Sequence, residues 1–389
     1  MTIDPTLLLV FAAILPGLFV SWIGAFAIRA IAPRAGLIDR PASRKVHDDP
    51  TPLGGGLAIW LGVVAPFAVG NFVAWWLLSG GAAVLDNSQL KELIGSYLKH
   101  LPGYLEKADT LWVILGSGTV LMLVGLADDR WNLGWKVRLG VQFAVAAICV
   151  WWQGWQLTAF INVALVTGIL SIIWIVAMIN SFNMLDNMDG LSGGVATIAA
   201  AMLGAVMLST REDAGDPQYF VGGFLFVIVG AILGFLIHNR PPARIFMGDA
   251  GSYFVGFCIA IATLLATYTG YHSKNQLAVL APVCVMAVPM YDMITVLWIR
   301  IREGRSPFQA DKSHFSHRLV DLGLTKGQAV LTIYLLTATC GFGALLLRQV
   351  TSVGAVVIIM MILCILALIA ILETTARRKI NGSKINNGS

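Results

Sequence analysis

The feature that most restricts the fold of this sequence is a series of long apolar runs separated by polar segments. A helix needs about 20 apolar residues to cross a bilayer, whereas a membrane barrel would show short alternating strands. Hydrophobic residues make up 57% of the chain and charged residues only 12%, compared with about 25% charged residues in soluble domains. The sequence therefore predicts an all-α, polytopic integral membrane protein.

Eleven runs have a suitable length, although a count of ten is also compatible with the pattern. They are Leu7–Ile31, Leu57–Leu78, Leu111–Leu126, Val137–Trp152, Phe160–Ile179, Val195–Leu208, Tyr219–Ile237, Tyr253–Thr269, Leu277–Ile299, Gln328–Leu347 and Val353–Leu372. Helical spacing of apolar residues predicts a further, amphipathic helix at Leu90–Leu101 that lies on the membrane surface. We expect one membrane domain over residues 1–379 and a disordered Asn/Gly/Ser-rich tail at 380–389.

The distribution of Lys and Arg predicts the orientation. If successive loops alternate between the two sides, 20 of the 26 Lys and Arg residues lie on one side. Cytoplasmic loops carry the excess of positive charge in membrane proteins. The N-terminus is therefore expected outside and the C-terminus in the cytoplasm.

This orientation places the unusual polar clusters on the same, cytoplasmic side. The clusters are Asp128-Asp129, Asn180–Gly194, Gly248–Ser252 and the loop that holds His314 and His317. Ionisable groups at membrane depth are expensive and mark functional sites by default. Four such clusters on one face predict a single site at the membrane surface.

One cluster is spaced regularly. Asn180, Asn183, Asp186 and Asp189 recur every three residues, and side chains at this spacing on a helix lie close together. Grouped carboxylate and amide oxygens suit Mg²⁺, which also binds substrate phosphates. The alternative is a turn between two helices with capping residues and a glycine exit.

These motifs, taken in order, resemble those of the polyprenyl-phosphate N-acetylhexosamine-1-phosphate transferases. The resemblance covers the chain from Arg44 to about Gly323. It implies transfer of a sugar-1-phosphate from a UDP-sugar to a lipid phosphate with Mg²⁺ and release of UMP; Mn²⁺ could replace Mg²⁺. The residues that carry it are Asp128-Asp129, Asn183-x-x-Asp186-x-x-Asp189-Gly190, Phe246-Met247-Gly248-Asp249-x-Gly251-Ser252 and His314 with His317.

The resemblance also implies roles for individual residues. Asp249 and Asn183 match the family's metal ligands, and Asp128 matches its candidate base or nucleophile. Adjacent helical residues point about 100° apart, so we expect Asp129 to orient its neighbours while both aspartates remain catalytic candidates. Candidate substrate-binding residues are Lys45, His47, Lys136, Arg138, Asp186, Asp189, His314, His317 and Arg318.

Several positions have alternative interpretations. Lys136 and Arg138 could be simple cytoplasmic anchors, and this role is expected for at least one of them. Many relatives have His where Ser316 stands, and Gly is usual where Asn187 stands. Asp292 is a lone carboxylate inside an apolar run, so it needs a partner, and we favour a structural role for it over direct catalysis.

Three functions are considered for this sequence: an N-acetylglucosamine-1-phosphate transferase, a transferase of the peptidoglycan branch and a secondary transporter. The His-Phe-Ser-His sequence of the loop resembles the N-acetylglucosamine branch, whereas the peptidoglycan branch, which uses UDP-N-acetylmuramoyl-pentapeptide, has three consecutive histidines. A secondary transporter would show inverted repeats and midplane charges, which this sequence lacks. We expect a bacterial inner-membrane enzyme that starts cell-envelope glycan synthesis, with a UDP-sugar and a polyprenyl phosphate as partners. No nucleic acid is expected, and a homodimer is left open.

Overall fold

The computed structural model describes residues 5–39, 50–80, 101–157, 163–209, 218–270, 276–309 and 311–386. Helices dominate these ranges because long apolar segments in a membrane must satisfy their backbone hydrogen bonds internally. The helices are α1 (Pro5–Ile31), α2 (Gly55–Leu78), α3 (Leu101–Glu106), α4 (Ala108–Trp131), α5 (Trp135–Trp152), α6 (Ala164–Leu185), α7 (Leu191–Leu208), α8 (Tyr219–Asn239), α9 (Gly248–Gly270), α10 (Ala281–Val285), α11 (Ala287–Arg302), α12 (Phe315–Asp321), α13 (Lys326–Leu347) and α14 (Ser352–Asn386).

Nine helices of the described ranges are long and apolar enough to cross a membrane, namely α1, α2, α4, α6, α7, α8, α9, α13 and α14. The chain is thus a multi-pass membrane protein. The predicted fourth span, α5, is 18 residues long and carries Lys136, Arg138 and Gln142. The predicted ninth span is broken into a 3₁₀ turn at Gln276–Leu280, α10 and α11. Within the described residues, the count thus reaches neither the expected eleven nor the alternative of ten.

Helix α9 is the centre of the bundle. In its most apolar stretch of 18 residues, 94% of the residues are buried. The helix packs against α2, α4, α6, α7 and α8. Gly125 allows α4 to approach closely, because a Cβ atom there would collide with the backbone of Asp249 and Ala250. The start of α9 is also where the polar motifs meet.

Two short strands, β1 (Ile38–Asp39) and β2 (Thr51–Pro52), pair antiparallel between α1 and α2. The Phe246 N–H donates to the Pro52 carbonyl at 2.9 Å, and the Gly55 N–H donates to the Phe246 carbonyl at 2.9 Å. These bonds fix the start of α2 beside the start of α9.

Further expectations concern the cysteines, the C-terminal tail, the amphipathic segment and the orientation in the membrane. The five cysteines are free thiols. Helix α14 continues to Asn386 and so includes most of the tail for which we expected disorder. Nearly all of the amphipathic segment Leu90–Leu101 lies outside the described residues, and orientation in the membrane stays a prediction.

Candidate active site

The site lies where the ends of several helices meet. Asp128 and Asp129 are in the last turn of α4, and Arg138 is in the first turn of α5. Asn183 is near the end of α6, and Asp249 is the second residue of α9. The contacts described below connect these five residues, so the motifs lie together where the helices end.

Arg138 connects two of the acidic residues. Its Nη1 atom lies 2.7 Å from Asp128 Oδ2 and 3.6 Å from Asp249 Oδ2. The Tyr253 hydroxyl, one turn after Asp249, donates to the same Asp128 oxygen at 3.3 Å. Asp128 is buried, whereas about a quarter of the Asp249 and Arg138 side chains is exposed. The accessible part of the cluster is therefore Asp249 with Arg138.

Asp129 points elsewhere, as the 100° helical spacing predicts. Its two oxygens accept the backbone N–H groups of Asp249 at 2.9 Å and Ala250 at 3.2 Å. A carboxylate at a helix N-terminus satisfies free N–H groups and interacts favourably with the helix dipole. Gly248 has φ of +69°, and a Cβ atom there would also collide with the Asp129 carboxylate. Asp129 thus sets the position of Asp249.

Asn183 contacts Asp249 directly. Its Nδ2 atom donates to Asp249 Oδ1 at 2.6 Å and to Ser252 Oγ at 3.0 Å. The two residues that the family resemblance marks as metal ligands are therefore neighbours, although 66 positions separate them in the chain.

Of the two interpretations of the segment from Asn180 to Asp189, the structure agrees with the turn between two helices and not with a continuous helical face. Helix α6 ends at Leu185, and Asp186 and Asp189 lie in the loop before α7. Asn180 donates to Gln142 Oε1 at 2.7 Å, and Asp189 Oδ2 accepts the Ala243 N–H at 2.9 Å. The four side chains therefore have separate partners.

Asp186 lies in this loop, beside the start of α9. It accepts a hydrogen bond from the Gly248 backbone N–H. Burial among protein atoms, followed by the charge of Asp129, raises the pKa of Asp186 to about 7. Its carboxyl group therefore exchanges a proton near neutral pH.

The donor set fits Mg²⁺. Asp249 and Asn183 are neighbours and carry carboxylate and amide groups, whose oxygens are the ligands that this ion prefers. Over the described ranges, no group of three or more His, Cys, Asp or Glu residues could hold a metal. Two neighbouring protein ligands suit an ion that keeps several waters and binds substrate phosphates.

The histidine loop is held by a buried carboxylate. Asp292 in α11 is fully buried; its Oδ2 lies 3.1 Å from His314 Nδ1, and its Oδ1 accepts the Phe315 N–H at 2.5 Å. The partner expected for Asp292 is therefore His314 together with the first turn of α12. Because Nδ1 is bonded to the carboxylate, His314 has only Nε2 left for a substrate.

A second acidic residue shapes the loop before His314. Asp311 accepts hydrogen bonds from Arg300 at 3.1 Å, Arg305 at 2.5 Å and the Ser313 N–H at 3.0 Å. Burial raises the pKa of Asp311, but these hydrogen bonds outweigh burial and hold the pKa below its usual value. Asp311 therefore stays ionised at neutral pH and keeps both arginines in place.

Two contacts join the histidine loop to the acidic cluster. The Ser316 hydroxyl donates to Asn187 Oδ1 at 2.5 Å, and the Trp135 and Phe308 rings stack with centroids 4.2 Å apart. Ser316 and Asn187 are two positions at which the family resemblance implies other residues, His and Gly. The departures are thus in contact with each other across 129 positions of the chain.

We expect Ser316→Ala and Asn187→Ala each to lower kcat/KM by several-fold, because either change frees the loop from the α6–α7 connection. The double variant should lose no more than one single variant, with a coupling of about 1 kcal/mol. Steady-state kinetics of the four proteins measure this coupling. Ser306→Ala, an exposed serine of the same loop, is the control, and strictly additive losses would contradict the expectation.

The remaining candidate residues are scattered. Lys45 and His47 lie outside the described residues. Lys136 is exposed, with Nζ 5.7 Å from the centre of the Trp135 ring, whereas Arg138 faces the aspartates. Arg318, expected to bind substrate, is only 3% exposed and paired with Glu373.

His317 is half-buried, and its ring centre lies 6.3 Å from that of His314. Burial, followed by the nearby His314 and Lys312, lowers the pKa of His317. The neutral imidazole is therefore the dominant form at neutral pH, and it can donate or accept a hydrogen bond.

Sequence reasoning gave no role to Tyr253, and it included Ser252 only as the last residue of the Gly248–Ser252 cluster. Both follow Asp249 within about one helical turn, and side chains three and four residues apart share a helix surface. This spacing from Asp249 is the signal in the sequence that indicates a shared surface. Ser252 also fits a glycine-rich turn, and Tyr253 also fits the start of an apolar span.

Comparison with known proteins gives consistent matches. Residues 111–267 match the family Glycosyl transferase family 4. The decaprenyl-phosphate N-acetylglucosaminephosphotransferase of Mycobacterium tuberculosis is 34% identical over 82% of this chain and 77% of its own. The probable undecaprenyl-phosphate N-acetylglucosaminyl 1-phosphate transferase of Bacillus subtilis is 30% identical over 83% and 81%. The undecaprenyl-phosphate alpha-N-acetylglucosaminyl 1-phosphate transferase of Escherichia coli K12 is 28% identical over 80% and 77%.

Proposed function

Because the chain belongs to the polyprenyl-phosphate N-acetylglucosamine-1-phosphate transferases of glycosyl transferase family 4, we propose that it transfers N-acetylglucosamine-1-phosphate from UDP-N-acetylglucosamine to undecaprenyl phosphate. UMP is released, and the lipid-diphosphate sugar starts a cell-envelope glycan. The observation that carries this proposal is the sharing of Arg138 between Asp128 and Asp249, at 2.7 and 3.6 Å.

The cluster has the charges that the reaction needs. Two phosphorylated substrates repel each other, so cations must screen them before their atoms can approach. Family 4 enzymes are typically Mg²⁺-dependent, and Asp249 and Asn183 would hold the ion, which would screen phosphate charge and polarise phosphoryl oxygens. Arg138 supplies a second cation, because its partly exposed guanidinium can exchange a carboxylate for a phosphate oxygen.

The displacement takes place at the phosphorus atom that bears the sugar. An oxygen of the lipid phosphate forms a new bond to this phosphorus, and the bond to the bridging oxygen of UMP breaks. Asp128 takes the remaining proton of the lipid phosphate once Arg138 turns to the substrates. Asp129 holds Asp249 in position through its hydrogen bonds to the N-terminus of α9.

His314 contributes from the opposite loop. Its Nδ1 is bonded to Asp292, so the Nε2 atom faces away from that carboxylate and can donate to a diphosphate oxygen or a sugar hydroxyl. Ser316 and Asn187 hold the loop against the acidic cluster. Arg318 acts on the loop and has no direct part in substrate binding in this scheme.

The three relatives named above act with N-acetylglucosamine, which favours the N-acetylglucosamine branch over the peptidoglycan branch for this chain. The purified protein should be incubated with undecaprenyl phosphate, Mg²⁺ and UDP-N-acetylglucosamine, UDP-N-acetylgalactosamine or UDP-N-acetylmuramoyl-pentapeptide. We expect a lipid-diphosphate product and UMP in equal amounts with the first donor. Product from the pentapeptide donor alone would assign the chain to the peptidoglycan branch.

A further inference from the structure

Arg318 and Glu373 form a buried ion pair between the histidine loop and the last helix. Arg318 Nε lies 3.0 Å from Glu373 Oε2, and the two side chains are 3% and 7% exposed. The Tyr291 hydroxyl of α11 donates to the same oxygen at 2.9 Å. The pair therefore joins α11, α12 and α14 at one point.

The rest of the Arg318 guanidinium is also engaged. Its Nη1 donates to the Ser313 carbonyl at 2.5 Å, and its Nη2 donates to Thr295 Oγ1 at 2.9 Å. The cation lies 5.9 Å from the centre of the Tyr291 ring and 5.8 Å from that of Phe315, within the range of cation–π attraction. All three guanidinium nitrogens of Arg318 therefore have partners inside the protein.

The contact with Ser313 is the important one for function. Ser313 directly precedes His314, and the Phe315 N–H directly after it is held by Asp292. The backbone on both sides of His314 is therefore fixed, once by Asp292 and once by Arg318. Arg318 can stay buried at this place only if a carboxylate compensates its charge.

We propose that Glu373 is a positioning residue for the transfer reaction, which holds His314 towards the substrates by way of Arg318. This proposal rests on the role of His314 in the proposed function. Glu373 touches no substrate, and its position in the last helix makes that helix part of the active-site support.

The first measurement is kcat and KM of Glu373→Gln with UDP-N-acetylglucosamine and undecaprenyl phosphate. The variant keeps the size of the side chain and removes its charge. We expect kcat to fall by about 10- to 100-fold, because a small displacement of a positioned group has such effects, with little change in KM. Glu373→Asp, which keeps the charge, should recover part of the loss. Glu106→Gln, an exposed glutamate of α3, is the matched control.

Two double variants separate positioning from stability. Glu373→Gln with Arg318→Gln leaves no unpaired buried charge, so the melting temperature should return towards that of the wild type while kcat stays low. If Glu373→Gln does not fold, the kcat of this double variant tests the positioning role by itself. A return of kcat together with the melting temperature would overturn the proposal.

The second double variant combines Glu373→Gln with His314→Ala. If Glu373 acts through His314, the double variant should be no slower than His314→Ala alone. Multiplying losses would show a different role for Glu373. Full activity of His314→Ala would overturn the role of His314 itself, whereas a slow His314→Ala beside an active Glu373→Gln would overturn only the positioning role.

Discussion

Asp249→Ala is expected to abolish sugar-1-phosphate transfer, with a loss of at least about 10³-fold in kcat, or about 4 kcal/mol of transition-state stabilisation. Asp249 is the carboxylate that lies next to Asn183 and Arg138 and is open to the surface. Without it the site loses a ligand for Mg²⁺ and the anion that orients Arg138. The measurement is UMP release at saturating substrates, with and without excess chelator.

The fold should survive this change, because Asp129 is bonded to the backbone N–H of residue 249 and not to its side chain. Asp109→Ala, an exposed aspartate in the first turn of α4, is the matched control. Binding of Mn²⁺ to the purified proteins, followed by electron paramagnetic resonance, gives a readout without turnover. Unchanged Mn²⁺ binding in Asp249→Ala, or full activity in chelator, would contradict the assignment of Asp249 as a metal ligand.

Much of this architecture could be predicted because the bilayer imposes simple rules. Apolar runs located the long helices, and helical geometry predicted that Asp128 and Asp129 diverge. The cost of a lone carboxylate in a membrane required a partner for Asp292, which is His314. Each of these inferences needs only local sequence or a single physical constraint.

Other features depend on contacts that leave no local pattern. A three-residue spacing of polar groups fits a helix surface and a loop equally well, so the sequence alone left open whether a helix continues beyond Leu185. The Asn187–Ser316 and Arg318–Glu373 contacts join positions 129 and 55 residues apart. Glu373 follows an ordinary apolar run, and nothing in its neighbourhood indicates a link to the histidine loop.

Asp128→Asn is expected to lower kcat by about 10² to 10⁴-fold, the range for loss of a general base, with a smaller effect on KM for UDP-N-acetylglucosamine. The amide keeps the shape of the side chain but cannot take the proton of the lipid phosphate, whose second pKa is near ~6 if it behaves like a phosphorylated side chain. It also weakens the 2.7 Å contact with Arg138. Steady-state kinetics over both substrates separate the two constants.

Asp129→Asn is the matched comparison, since it makes the same change at the adjacent residue. One of the two backbone N–H groups at the start of α9 would lose its acceptor, so we expect a lower melting temperature and a smaller loss of kcat than in Asp128→Asn. Equal losses of kcat at unchanged stability would give both aspartates a chemical role.

The order of the chemical steps can be tested separately in the wild-type enzyme. In a single displacement the phosphorus atom passes directly from UMP to the lipid phosphate, so labelled UMP should not enter UDP-N-acetylglucosamine when lipid is absent. If Asp128 instead attacked first, a phosphosugar would form on its carboxylate, and UMP would exchange without lipid. The Asp128 side chain is only 3% exposed and is bonded to Arg138 and Tyr253, which favours a proton acceptor over an attacking group. Rapid exchange without lipid, lost in Asp128→Asn, would establish the covalent route in its place.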